Sequence, residues 1–134
     1  MSNSGGTCKS RITDGIRKSA GTLARKWSKA SSILVAAIVH AELATLRPFV
    51  QGSYLVARAS TRLILAARDV DNDGLVMSEY GAFLLGRPAY VKALTGYTSG
   101  TREGVGAWVS WQGEAIRRGI EMAKELAEMA DAKN

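Results

Sequence analysis

Ser31-Ser32-Ile33-Leu34-Val35-Ala36-Ala37-Ile38-Val39-His40-Ala41-Glu42-Leu43-Ala44-Thr45-Leu46 is the stretch on which the fold class turns. The apolar run Ile33–Val39 fits a buried strand as well as a buried helix, because periodicity cannot separate the two over seven residues. The alanines within it, and the continuation through His40, Ala41, Leu43, Ala44 and Leu46, favour helix. Ser31 and Ser32 are residues that cap a helix start. A run apolar on all sides belongs to a helix surrounded by others. It is too short for a membrane span, and Glu42 follows it.

Working outward, Pro48 disfavours helical geometry at Arg47 and suits the first turn of a second helix. That helix is expected to reach about Arg68, with Val50, Tyr54, Ala57 and Leu65 inside and Gln51, Arg58 and Arg62 outside. Further on, Ser78 caps a short helix that Gly86 ends, and Pro88 opens another that Gly96 closes. Residues 96–100 read as a loop. A long last helix follows from about Thr101 to Ala130, with Val105, Trp108, Ala115, Ile116, Ile120, Ala123, Leu126 and Ala130 as its apolar stripe. Glu114–Arg118, Arg117–Glu121 and Lys124–Glu128 stand four apart as helix-stabilising pairs.

Towards the N-terminus, residues 1–8 are small and polar and read as a flexible leader. From Lys9 to Ala30, Ile12, Ile16, Ala20, Leu23, Trp27 and Ala30 recur at helical spacing. The other face carries Lys9, Arg11, Arg17, Lys18, Arg25, Lys26 and Lys29, opposed only by Asp14. The fold class that follows is all-α: an irregular bundle of five or six helices in one domain over residues 9–134.

A chain of 134 residues can bury a substantial core without staples. Its single cysteine, Cys8, excludes a disulfide framework within the chain, and one Cys with one His makes zinc a poor fit. The net charge of +6 is unevenly spread: residues 1–68 hold 11 Lys/Arg against 2 Asp/Glu, and residues 69–134 hold 7 against 10. A basic half of this kind speaks to partners rather than fold. Nucleic acid is the least supported, since no binding motif appears and the aromatic residues lie mostly in the acidic half. An anionic membrane surface and other protein subunits remain. The helix over 9–30 also resembles a mitochondrial targeting segment in being amphipathic, basic and nearly free of acid. Lys9, Arg11, Arg17, Lys18, Arg25, Lys26, Trp27 and Lys29 are therefore candidates for membrane or partner docking. Trp108 and Trp111, three apart on the last helix, suit ordinary core packing first and, as the alternative, one groove or membrane interface, which makes them candidates for the same role.

The most pointed chemistry is Asp69-Val70-Asp71-Asn72-Asp73-Gly74-Leu75-Val76-Met77-Ser78-Glu79-Tyr80. It resembles an EF-hand calcium loop, and its first half is similar to that of dockerins. Asp69, Asp71 and Asp73 fall at loop positions 1, 3 and 5, Gly74 at the sharp turn, and Leu75 where the family uses a backbone carbonyl. The resemblance implies that these residues and Glu79 ligate Ca2+. Position 12, however, is Tyr80; Glu79 comes one residue early, rotated by roughly 100 degrees on a helix. The other reading is a turn between two helices. Three carboxylates after Arg68 crowd the negative end of a helix dipole, a repulsion that a bound cation or a docked Arg or Lys would relieve.

His40 and Glu42, two apart, do not share a helix face, so His40 is expected as a core or interface residue. Neither a nucleophile elbow nor a phosphate loop is present. The function expected from these features is a non-enzymatic accessory or structural subunit of a larger assembly, at a mitochondrial or other membrane. A free-standing calcium-binding module and a virion structural protein are the alternatives.

Overall fold

The computed structural model describes residues 30–133. The flexible leader and the basic helix expected over residues 9–30, with docking candidates Lys9 to Lys29, lie outside the described residues. The described residues from Ser32 onward form one compact unit. Among the described residues there are five helices and no strand: α1 (Ser32–Leu46), α2 (Ser53–Ala67), α3 (Ser78–Leu85), α4 (Arg87–Thr98) and α5 (Arg102–Asp131). None is long and apolar enough to cross a membrane. The fold is all-α.

The decisive stretch is the helix its alanines favour. Val35, Ala36, Ala37, His40, Ala41 and Ala44 of α1 are buried, and the small side chains let neighbouring helices approach closely. Pro48 does not open α2. Arg47, ahead of it, takes a left-handed φ of 46°, and residues 47–52 form a connection. Gly52, at φ 82°, is the N-cap residue, so the helix starts only at Ser53. Val50 is consequently fully exposed, at 104%, and Tyr54 is partly exposed, at 37%, contrary to the inside positions expected for them. Ala57 and Leu65 are buried as expected, in the stripe Ser53, Ala57, Thr61, Leu65 that packs on α1.

Gly96 does not close α4, which continues through it to Thr98. A Cβ on Gly104 would collide with the backbone of Gly96, so the pair serves as a point of close approach between α4 and α5. Thr101 then caps α5, its hydroxyl accepting from the Gly104 N–H at 3.1 Å. A similar need acts where α3 crosses α5: a Cβ on Gly81 would run into the backbone of Ala115.

The core has two centres. Ala37, Ala41 and Trp108 form one, surrounded by Tyr90, Leu94, Tyr97 and Trp111. Leu65, Val76 and Ile116 form the other, with Ile33 and Ile120 against it. On the surface of α5, Glu114 receives both Arg117 and Arg118, and Arg117 also pairs with Glu121. Those hydrogen bonds hold the half-exposed Glu114 carboxyl down at about 2.

Candidate functional site: the acidic loop and the His40 junction

The end of α2 explains the first of the loop aspartates. Asp69 stands at φ 57°, the left-handed position that terminates a helix, a conformation Asp tolerates better than most residues. The N–H groups of Asp69 and Val70 then return to the carbonyls of Ala66 and Leu65, at 3.2 and 2.9 Å. Gly74, at φ 66°, makes the second sharp turn.

Asp71 is buried and faces its own loop. Its Oδ1 accepts from the Leu75 N–H at 2.8 Å and its Oδ2 from the Val76 N–H at 3.0 Å, which satisfies two donors at the approach to α3. Arg62, from the basic half of the chain, donates to the Gly74 carbonyl at 2.9 Å and stands 3.8 Å from the Glu79 carboxylate. Arg62 thus ties the turn and Glu79 to α2, while its contacts reach none of the three loop aspartates. Among the described residues no three carboxylate, imidazole or thiolate groups gather in a geometry that could hold a metal ion. The convergence of Asp69, Asp71, Asp73 and Glu79 expected from the sequence is not formed here. The side chain of Leu75 is exposed.

The second concentration of polar groups is inside. His40 is buried at 4% exposure, its Nδ1 3.1 Å from the Thr61 hydroxyl and its Nε2 3.2 Å from the Tyr90 hydroxyl. Burial foremost, then the charge of Arg58, lowers its pKa to about 4, so the ring is neutral at pH 7. Burial also pushes the Tyr90 phenol up to about 12. One proton assignment serves every hydroxyl and ring nitrogen: Tyr90 donates to Nε2, Nδ1–H donates to Thr61, and Thr61 donates to the Ala57 carbonyl at 3.4 Å. Gln112 completes the group, donating to Thr61 at 3.4 Å, while its own Oε1 is buried without a partner. The junction therefore links α1, α2, α4 and α5 through side chains remote in sequence. Glu42 belongs elsewhere, accepting from the Tyr97 hydroxyl, so the His40–Glu42 couple does not exist.

Trp108 is removed from the docking role considered for it. It has no exposed surface, its indole N–H donates to the Ala37 carbonyl at 2.7 Å, and its ring packs against His40, Tyr90 and Tyr97. Trp111 stacks on it at 5.4 Å with an interplanar angle of 16°, half-buried, its N–H buried and unpaired. The tryptophan spacing that pointed to a groove or a membrane interface is instead a core spacing, because the inner side of α5 lies against α1 and α4.

A further feature was absent from the sequence reading. On a helix with 3.6 residues per turn, Leu55, Ala59 and Leu63 lie on the side of α2 opposite its buried stripe. Leu55 is 68% exposed and Leu63 70%. The signal was present in the sequence as apolar residues at a second i, i+4, i+8 register within the same helix. Comparison of the chain with protein-family models, with curated proteins and with solved structures gives no match.

Proposed function

We propose that this chain is a non-enzymatic structural subunit that packs into a larger assembly. The observation that carries the reading is the outward face of α2. A helix apolar on one side is satisfied by its own core, whereas a helix apolar on both sides is normally covered on both. Here Ser53, Ala57, Thr61 and Leu65 face inward, and Leu55, Ala59 and Leu63 face out with nothing of the described chain over them. The connection before α2 adds exposed Leu46, Phe49 and Val50. Apolar surface of this kind marks interaction sites in folded proteins. The buried, hydrogen-bonded state of His40 is in keeping with a packing role.

The test is the mass of the native particle. In native extracts the chain of 14.3 kDa is expected in a particle well above its own mass. A sharp monomer peak in gentle size-exclusion runs, at both low and moderate salt, would overturn the reading.

A further inference from the structure

The outward face of α2 has a counterpart on the same chain. The buried residues of α5 end at Gly119, yet the helix continues to Asp131, and every residue from Lys124 to Lys133 is exposed. The apolar stripe does not stop with the core. Met122, Leu126 and Ala130 continue it at i, i+4 and i+8, with Met129 beside them, and Leu126 and Met129 are 47% and 54% exposed. Beyond Glu121, which Arg117 engages, this tail carries Glu125, Glu128 and Asp131 against Lys124 and Lys133. By helical geometry Glu125 flanks the stripe.

The two surfaces match in length, shape and charge. Leu55–Leu63 and Met122–Ala130 each rise about 12 Å, and both are i, i+4 ridges of the sort that interdigitate when helices pack. Arg58 flanks the α2 stripe, Arg62 beside it is already engaged by Gly74 and Glu79 of its own chain, and no acid occurs between Glu42 and Asp69. Two α2 faces would bring arginines together, and two α5 tails would bring carboxylates together; an α2 face against an α5 tail joins opposite charges. We infer that the α5 tail of one copy docks on the α2 face of another, so that the chain associates head to tail with itself. The inference rests on the assembly reading and names its partner. A contact this short covers less than the roughly 800 Å2 per partner usual for stable one-to-one complexes. It is weak between two copies, and gains strength by closing into a ring or is propagated as a filament.

A head-to-tail contact has a diagnostic that a symmetric one lacks. Leu63→Asp spoils the face and leaves the tail; Leu126→Asp spoils the tail and leaves the face. Both residues are exposed, so the fold survives, which circular dichroism verifies. In sedimentation velocity the wild-type full chain is expected to grow in weight-average mass with concentration, while each variant alone stays monomeric. An equimolar mixture of the two variants can form one intact contact only, so at high concentration its weight-average mass rises above the monomer's and never exceeds twice the monomer mass. Arg58→Glu weakens association, and Glu125→Arg in the same chain restores it. The inference falls if the mixture stays monomeric, or if Leu126→Asp associates like the wild type. It falls equally if the wild type is monomeric at high concentration and its Leu63 face binds anionic vesicles instead. A large native particle together with a monomeric purified chain would overturn self-association and leave the assembly reading standing; a native monomer would remove both.

Discussion

Two polar regions bracket α2: the His40 junction, reached through Thr61 in mid-helix, and the acidic loop that follows Arg68. Both gather hydrogen-bonding groups between helices, but they spend them differently. In the junction, side chains of four helices bind one another at separations of 21 to 51 residues. In the loop, Asp71 binds backbone four and five residues away, and Arg62 reaches over from the adjacent helix. One region holds the helices in register and the other holds a turn in shape. The difference teaches that density of charged residues in the sequence is a poor guide to which polar groups organise the fold.

The sharpest way to break the comparison is to empty the junction. Trp108→Ala removes the largest fully buried side chain together with its bond to Ala37. It is expected to cost about 3–5 kcal/mol, read from denaturant unfolding. A loss below about 1 kcal/mol would mean that the junction is not the structural centre.

Next in size is the pH dependence of His40. The native ring holds no proton until about pH 4, whereas an unfolded histidine takes one up below about 6.5. The unfolded state therefore binds more protons in this window, and stability is lost as pH falls from 6.5 towards 4. The loss reaches about 3 kcal/mol at the low end. Carboxylates such as Glu114, with its depressed pKa, contribute their own loss at lower pH, so the comparison is with His40→Gln. That variant is expected to flatten the pH 4–6.5 portion of the stability profile. An unchanged slope would show that the imidazole is already solvated in the folded chain.

Helices were legible where local chemistry decides them. The alanine-rich run, the start of the last helix at about Thr101 and the stripe through Trp108, Ala115 and Ile116 all read correctly, because each depends on neighbours within a turn or two. Errors arose where one residue type has two physical uses. Pro48 fits a helix start as well as a connection, and the left-handed Arg47 and Gly52 decide for the connection. Gly96 fits a helix stop as well as a helix contact, and the approach of Gly104 decides for the contact. At the candidate sites, His40 was legible as a core residue, but its partners were not, since nothing local links residue 40 to Thr61 or Tyr90. Trp108 and Trp111 fit a core side as well as a docking side for the converse reason: their spacing defines a helix side without saying what covers it.

The smallest effects belong to the loop, and they sharpen the comparison by separating its three aspartates. If the loop is a turn, its carboxylates have unequal duties. Asp71→Ala strips the acceptor from two N–H groups, one of them at buried Val76, and is expected to cost about 1–3 kcal/mol with or without calcium. Asp69→Asn keeps a residue suited to the left-handed position and removes a negative charge from the C-terminal end of α2. It should raise stability by a few tenths of a kcal/mol, about 0.3–1 at most, in calcium-free buffer. Asp73→Asn has no described hydrogen bond to lose and should change little. A cation site reverses this ranking: Asp69, Asp71 and Asp73 would matter together and only when the metal is present. Millimolar calcium would then raise the melting temperature through its selective binding to the folded chain, and Asp69→Asn would abolish the rise. Closing such a site requires Glu79 to leave Arg62 and Asp71 to release at least part of its hold on Leu75 and Val76. The expected result is therefore a wild-type melting curve unmoved by calcium or magnesium, and a calcium-dependent rise that Asp69→Asn removes would show the loop to be a cation site after all.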